Sequence, residues 1–175
     1  MQSLIPYNFR TSVVDSSKTN GQFVVNALDS KTNEVIGTVI AEPCLKKSYS
    51  GVKFASEYSA QSIDNPRLTS PHMYISDLFV SKDARKKGVG RTLVNRVVKE
   101  SADRGFNGRV ILLAGNSKEA SPLPFYKKIG FMSTKLTLNR QLEEFIKNKW
   151  LYFDNRIQTF MFLPKKVIMK ILQSR

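Results

Sequence analysis

An apolar run over residues 74–80 leads, four residues on, into a basic glycine turn, Arg85-Lys86-Lys87-Gly88-Val89-Gly90. A segment of helical period follows over residues 91–104. No other stretch restricts the fold as strongly. The run has the length and composition of a buried strand, and Val89, Leu93, Val94, Val97 and Val98 form one apolar helical stripe. Two glycines let the backbone approach a ligand closely. The first amides of a helix have no intrahelical acceptor, and with the helix dipole they favour an anion. Arg85, Lys86, Lys87 and Arg91 add positive charge. Strand, turn and helix together make a phosphate-binding unit, although basic residues beside glycines also occur in plain surface turns. The nucleotide loop G-x-x-x-x-G-K-[ST] and the full dinucleotide pattern G-x-G-x-x-G are both absent.

Strand patterns dominate the chain up to residue 80. Residues 8–14 and 22–28 read as strands, residues 30–34 have hairpin-turn chemistry, and residues 35–41 complete an antiparallel pair. Residues 46–70 read as loop, with a strand over 52–58 as the alternative, and no helical period precedes residue 80. Beyond the glycine turn, helix and strand patterns alternate. Gly105 closes the first helix, and residues 109–114 form a strand. Pro122 and Pro124 mark the entry of a short helix that runs to Ile129 and stops at Gly130. Residues 131–136 and 157–163 read as strands, 138–150 as a helix, and Pro164 ends the last strand. Residues 165–172 form a basic amphipathic helix, too short to hold a membrane and expected to dock on the domain.

The turn's pattern R-x-x-G-x-G resembles the pyrophosphate loop of the GNAT superfamily of N-acetyltransferases. Phe125-Tyr126-Lys127-Lys128-Ile129-Gly130-Phe131 resembles that family's closing phrase F-Y-x-x-x-G-F. Gly90 and Tyr126 stand 36 residues apart, with one helix and one strand pattern between them. The resemblance covers about residues 73–131. It implies an α/β fold, one GNAT-type domain over residues 1–175 with a mixed central sheet flanked by helices. It also implies acetyl-coenzyme A as cosubstrate, held by the backbone of Leu78, Phe79 and Val80 and by the turn from Arg85, Lys86, Lys87, Gly88, Val89 and Gly90 to Arg91.

By the same resemblance Asn116 bonds the pantetheine arm, with Ser117 and Ser121 as local alternatives, and Tyr126 is the general acid for the leaving thiolate. Residues 74–80 resemble the Y-x-E-D-x-x-V phrase of diamine acetyltransferases. Asp77 matches its second acid and is a candidate for binding the amine or relaying its proton, while Ser76 replaces the first acid. Each assignment has a plainer alternative: Leu78 and Val80 as core, Tyr126 as a packing tyrosine, Asp77 as a loop anchor. The family also places helices between its first two strands, and their absence here implies a differently built acceptor wall.

Composition bounds the rest. The 175 residues are 41% hydrophobic, include eleven Phe, and contain no apolar run long enough to cross a membrane as a helix. The N-terminus lacks a secretion-signal pattern, and a single cysteine, Cys44, excludes an internal disulfide; a cytoplasmic setting is expected. One His (His72, expected in a loop) and one Cys make no metal site. Residues 1–70 hold seven Lys/Arg against six Asp/Glu, whereas residues 71–175 hold 21 against eight. This excess suits a cofactor with three phosphate groups, and it leaves three uses open: a nucleic-acid or ribosome contact, an acidic protein partner, or plain solvated surface. An amine-bearing small molecule or protein is the expected acceptor, and a homodimer is compatible with the family. The alternative to an enzyme is a non-catalytic coenzyme A-binding or RNA-docking module.

Overall fold

The computed structural model describes residues 8–15, 21–44, 72–116, 122–132 and 157–174. Six strands form one sheet in sequence order: β1 (Phe9–Asp15), β2 (Phe23–Asp29), β3 (Val35–Cys44), β4 (His72–Val80), β5 (Val110–Asn116) and β6 (Ile157–Phe162). Only β4 and β5 run parallel, so the sheet is mixed, and α1 (Val89–Asp103) makes the crossover between them. Two further helices, α2 (Leu123–Ile129) and α3 (Lys165–Gln173), flank the later strands.

Period-2 patterning decides which sheet face is buried. Phe23, Val25 and Ala27 on β2, and Val39 and Ala41 on β3, are fully buried, while the residues between them are only half-buried. The apolar stripe of α1 lies on this face, with Leu93, Val94, Val97 and Val98 fully buried. Gly37 makes the close approach of helix to sheet feasible: a Cβ there would stand 3.1 Å from both Leu93 and Val89. At the C-terminal end of α1, Arg104 pairs with Asp15, sits 3.6 Å from Glu100, and lies over the Phe23 ring at 4.4 Å. It thereby ties the helix to the β1–β2 corner.

The docked α3 meets the expectation for the basic C-terminal segment. Ile168 and Ile171 are buried, while Lys165, Lys166 and Lys170 remain exposed. Its apolar face rests on two glycines, since a Cβ on Gly108 would stand 2.6 Å from Ile168 and one on Gly130 3.0 Å from Val167. Pro164 both ends the β6 segment and starts the helix, as a residue without an N–H can.

Three sequence expectations shift. The glycine-turn helix begins at Val89, two residues early, because Val89 is itself buried in the core. Strand β3 continues through Pro43 to Cys44. His72, expected in a loop, is the first residue of β4, is buried, and is the register partner of Cys44. Of the strand expected over 131–136, only Phe131 and Met132 are among the described residues, and Met132 is bridged to Phe162. The expected helix over 138–150 and strand over 52–58 lie outside the described residues. Between β1 and β2 stand only residues 16–22, too few for two helices.

Candidate active site

Strand β4 organises the site through two irregularities. Its register against β3 jumps from Ile40↔Asp77 to Ala41↔Ile75, which leaves Ser76 as the extra residue of a β-bulge. The Ser76 hydroxyl donates to the Ile40 carbonyl at 3.3 Å and pins the bulge to β3. Ser76, which occupies the family's first-acid position, thus has a structural job. The second irregularity is a splay. Strand β4 pairs with β5 only at Met73, Tyr74 and Ile75, while β5 continues paired to β6 as far as Asn116. Among the described residues the β5-facing side of β4 has no ladder partner from Ser76 to Val80, which leaves alternate backbone amides for a ligand.

The bulge also re-phases the side chains. Ile75 and Leu78 both face the α1 side, opposite Ala41 and Val39, although a spacing of three would put them on opposite faces of a regular strand. The same shift puts Tyr74, Asp77 and Phe79 together on the other face, opposite Glu42, Ile40 and Thr38. Leu78 and Val80 pack against the core, so only their backbone can serve a ligand. Phe79 and Asp77 are exposed.

The turn after β4 is shaped by two left-handed residues, Lys86 at φ 60° and Gly88 at φ 83°, and Gly88 is the N-terminal boundary of α1. The two glycines do different work. A Cβ on Gly88 would meet nothing within 4 Å, so that position needs glycine for its backbone angle. A Cβ on Gly90 would lie 2.8 Å from the Phe125 ring, so that glycine seats α2 against the first turn of α1. Val89 is buried and can offer only its amide. Lys86 and Lys87 are exposed at the turn. Arg85 donates to the Val80 carbonyl at 3.1 Å, and Arg91 donates to the Lys128 carbonyl at 3.1 Å. Each arginine therefore braces the turn with one N–H and keeps others for an anion.

Tyr126 enters from α2. It is 9% exposed, with its ring edge-on to Phe125 at 5.1 Å and to Phe131 at 5.5 Å. Among the described residues no hydrogen bond engages its hydroxyl. Burial, and then the charges of Asp77 and Tyr74, push the phenol up to about 12. That coupling brings α2 and β4 to one place, although Tyr126 and Asp77 are 49 residues apart in the chain. Asn116 ends β5, beside the splay and opposite Ile157. The sequence reading leaves Tyr74 and Glu42 without roles; the odd spacing of Tyr74 and Asp77 hides their shared face until the bulge is seen. Among the described residues no group of His, Cys, Asp or Glu could hold a metal ion.

The family model described as "Acetyltransferase (GNAT) family" matches residues 4–131. Human (Homo sapiens) N-acetyltransferase 8 is 25% identical over 115 residues, covering 65% of this chain and 50% of that protein. The chain thus spans about half the length of this curated relative. Arabidopsis thaliana NAA60, solved in complex with acetyl-CoA, is 24% identical with a TM-score of 0.50, covering 65% of this chain and 64% of that one. The NatC complex, solved bound to Gag peptide and CoA, is 16% identical with a TM-score of 0.51, covering 81% of this chain and 70% of that one. At these identities the two structures share the fold.

Proposed function

The chain belongs to the acetyltransferase (GNAT) family, and from that we propose that it transfers the acetyl group of acetyl-coenzyme A to a primary amine. One observation carries the proposal: a bulged, splayed strand runs into a basic glycine turn that starts a helix, with a buried phenol within reach of Asp77 on the same strand. In this reading the amides from Lys87 to Arg91 hold the pyrophosphate. The unpaired amides of β4 between Ser76 and Val80 align the pantetheine arm and bond the thioester oxygen, whose negative charge grows as the amine attacks. Rigid backbone donors suit that task because they need no reorganisation. In the same reading Asn116, the last residue of β5, bonds the same arm.

The reaction forms a C–N bond, breaks the C–S bond, and moves one proton from the amine to the departing sulfur. Asp77 is exposed and able to hold the incoming ammonium or pass its proton to water. Tyr126 faces the other end of the transfer. With its phenol pushed up to about 12, it is protonated at any physiological pH and always present as a donor. A thiol ordinarily titrates near ~8.5, so full proton loss from this phenol to a thiolate is uphill. The proton the amine gives up replaces the one Tyr126 lends to the sulfur, so the phenol is neutral again when thiol and amide leave.

Replacing Tyr126 by Phe removes only the hydroxyl. The variant should bind coenzyme A normally and release its thiol roughly 10²–10⁴ times more slowly, measured with a thiol reagent over an amine and peptide panel. Full activity in the variant would remove Tyr126 from the mechanism. No acceptor-dependent thiol release by the native protein would leave a coenzyme A-binding module.

A further inference from the structure

Helix α2 is seven residues long, too short to hold its shape alone. Tyr126 and Ile129 bury its inner side. Its last turn is closed by the Gly130 amide, which bonds the carbonyls of Tyr126 and Lys127, and by the Phe131 amide, which bonds that of Tyr126. Its exposed side, which carries Phe125 and Lys128, is held by the first turn of α1 through two consecutive residues. At Gly90 the Phe125 ring sits where a Cβ would meet it at 2.8 Å. At Arg91 the guanidinium donates to the Lys128 carbonyl at 3.1 Å. The two contacts bracket Tyr126, one residue after Phe125 and two before Lys128. Gly90 and Arg91 also belong to the turn that would face a pyrophosphate. One short stretch of chain therefore joins the phosphate side of the site to the helix that carries its phenol.

Arg91 stands at an electrostatic junction. It is the third residue of α1, where a positive charge opposes the helix dipole, and that first turn holds no acid to offset it. The Lys128 carbonyl lies in the last turn of α2, at the negative end of that helix. The guanidinium is exposed, so its bond to that carbonyl must offset the entropy of ordering a long side chain. An anion in the turn would fix the same planar group through its remaining N–H donors. The ordering cost is then shared between two partners, and the bond to Lys128 strengthens whenever the turn is occupied.

We propose that Arg91 is a positioning residue: it carries occupancy of the glycine turn to α2 and so holds Tyr126 in place for the departing thiol. This rests on the acetyl-transfer reading and adds a regulatory step to it. The acid is set only once the cosubstrate has arrived.

Hydrogen exchange at the amides of Gly130 and Phe131 reads the seating of α2 without turnover. The amides of Arg104 and Phe106, at the far end of α1, report any global stabilisation by ligand. In the native protein, saturating coenzyme A should slow Gly130 and Phe131 severalfold beyond that reference; in Arg91→Met it should not. Thiol release from acetyl-coenzyme A over the amine and peptide panel supplies the kinetics. Arg91→Met should lose about tenfold in coenzyme A affinity and roughly ten- to a hundredfold in kcat. Arg91→Lys should recover much of the affinity and little of kcat, because an ammonium keeps the charge but lacks the planar fork that spans two partners. In a Tyr126→Phe background, where no acid remains to be positioned, Arg91→Met should cost kcat nothing more. Exchange at α2 that ignores coenzyme A in the native protein overturns the inference. So does native kcat in Arg91→Lys, or an Arg91→Met loss that persists undiminished beside Tyr126→Phe. Ligand-dependent seating of α2 that requires Arg91, in a protein that transfers no acetyl group, would uphold the coupling and overturn the acetyl-transfer reading.

Discussion

Tyr126 couples the site's chemistry to stability. Because its folded-state pKa is raised from 10.0 to about 12, the neutral phenol is favoured in the fold. Below pH 10 the group is protonated in folded and unfolded chains alike, and its contribution is fully present. As pH rises from about 10 to about 12 the unfolded chain loses this proton first, so the folded state binds more protons and stability declines. In urea unfolding, native protein should lose roughly 1 kcal/mol relative to Tyr126→Phe between pH 9 and pH 11. Parallel behaviour of the two proteins would mean the phenol is not held neutral by burial. The residue's partners were only partly legible in the sequence. F-Y-x-x-x-G-F singles out Tyr126, but its coupling to Tyr74 depends on a bulge that no local pattern announces.

The glycine turn and α1 form one element, and their glycines separate conformation from packing. Gly88 has open space around its missing Cβ but a left-handed backbone. Gly88→Ala and Gly88→Glu should therefore bear the same strain, about 1–2 kcal/mol. Only Glu adds a negative charge where the pyrophosphate would sit. Calorimetry should give the Glu variant at least tenfold weaker coenzyme A binding than the Ala variant; equal affinities would move the phosphate elsewhere. A second pair tests the docking of α3. Gly105 and Gly108 both have positive φ, but only Gly108 has a neighbour in the way, Ile168 at 2.6 Å. Gly105→Ala should cost about 1–2 kcal/mol and Gly108→Ala about 2–4 kcal/mol, the difference coming from overpacking. Equal losses in chemical denaturation would show that α3 yields freely.

Across the whole molecule, charge is sorted along α1. Its C-terminal end carries the ion pairs of Arg96, Glu100, Arg104 and Asp15. Its N-terminal end begins a basic band that three separate segments assemble. Arg91 bonds the Lys128 carbonyl, and Gly130 contacts Val167 of α3, so exposed Lys86, Lys87, Arg91, Lys127, Lys128, Lys165 and Lys166 follow one another over the surface. Such a field attracts a polyanionic cosubstrate and is screened by salt. Coenzyme A affinity should fall as sodium chloride rises from 50 to 500 mM on the order of the Debye length's collapse, and Lys127→Gln with Lys128→Gln should flatten that dependence. An affinity indifferent to salt would assign the phosphates to backbone amides alone.

The local elements of this protein were written in its sequence. Period-2 and period-3.6 patterns specify β2, β3 and α1 because each must bury one face, and Gly130 and Pro164 mark boundaries through backbone restrictions that act within a few residues. The family motifs name Gly88, Gly90 and Tyr126 for the same local reason. Tertiary structure decided what depends on register between distant segments. The bulge at Ser76 exists only against β3, and it alone turns Tyr74 and Asp77 to one face. The splay is a parting of β4 from β5 beyond Ile75 and Leu112, while β5 keeps β6 on its other edge from Ile111 to Asn116. The face of β3 and β4 that carries Glu42, Tyr74 and Asp77 is a product of pairing, and strand pairing is a long-range choice that no single segment encodes.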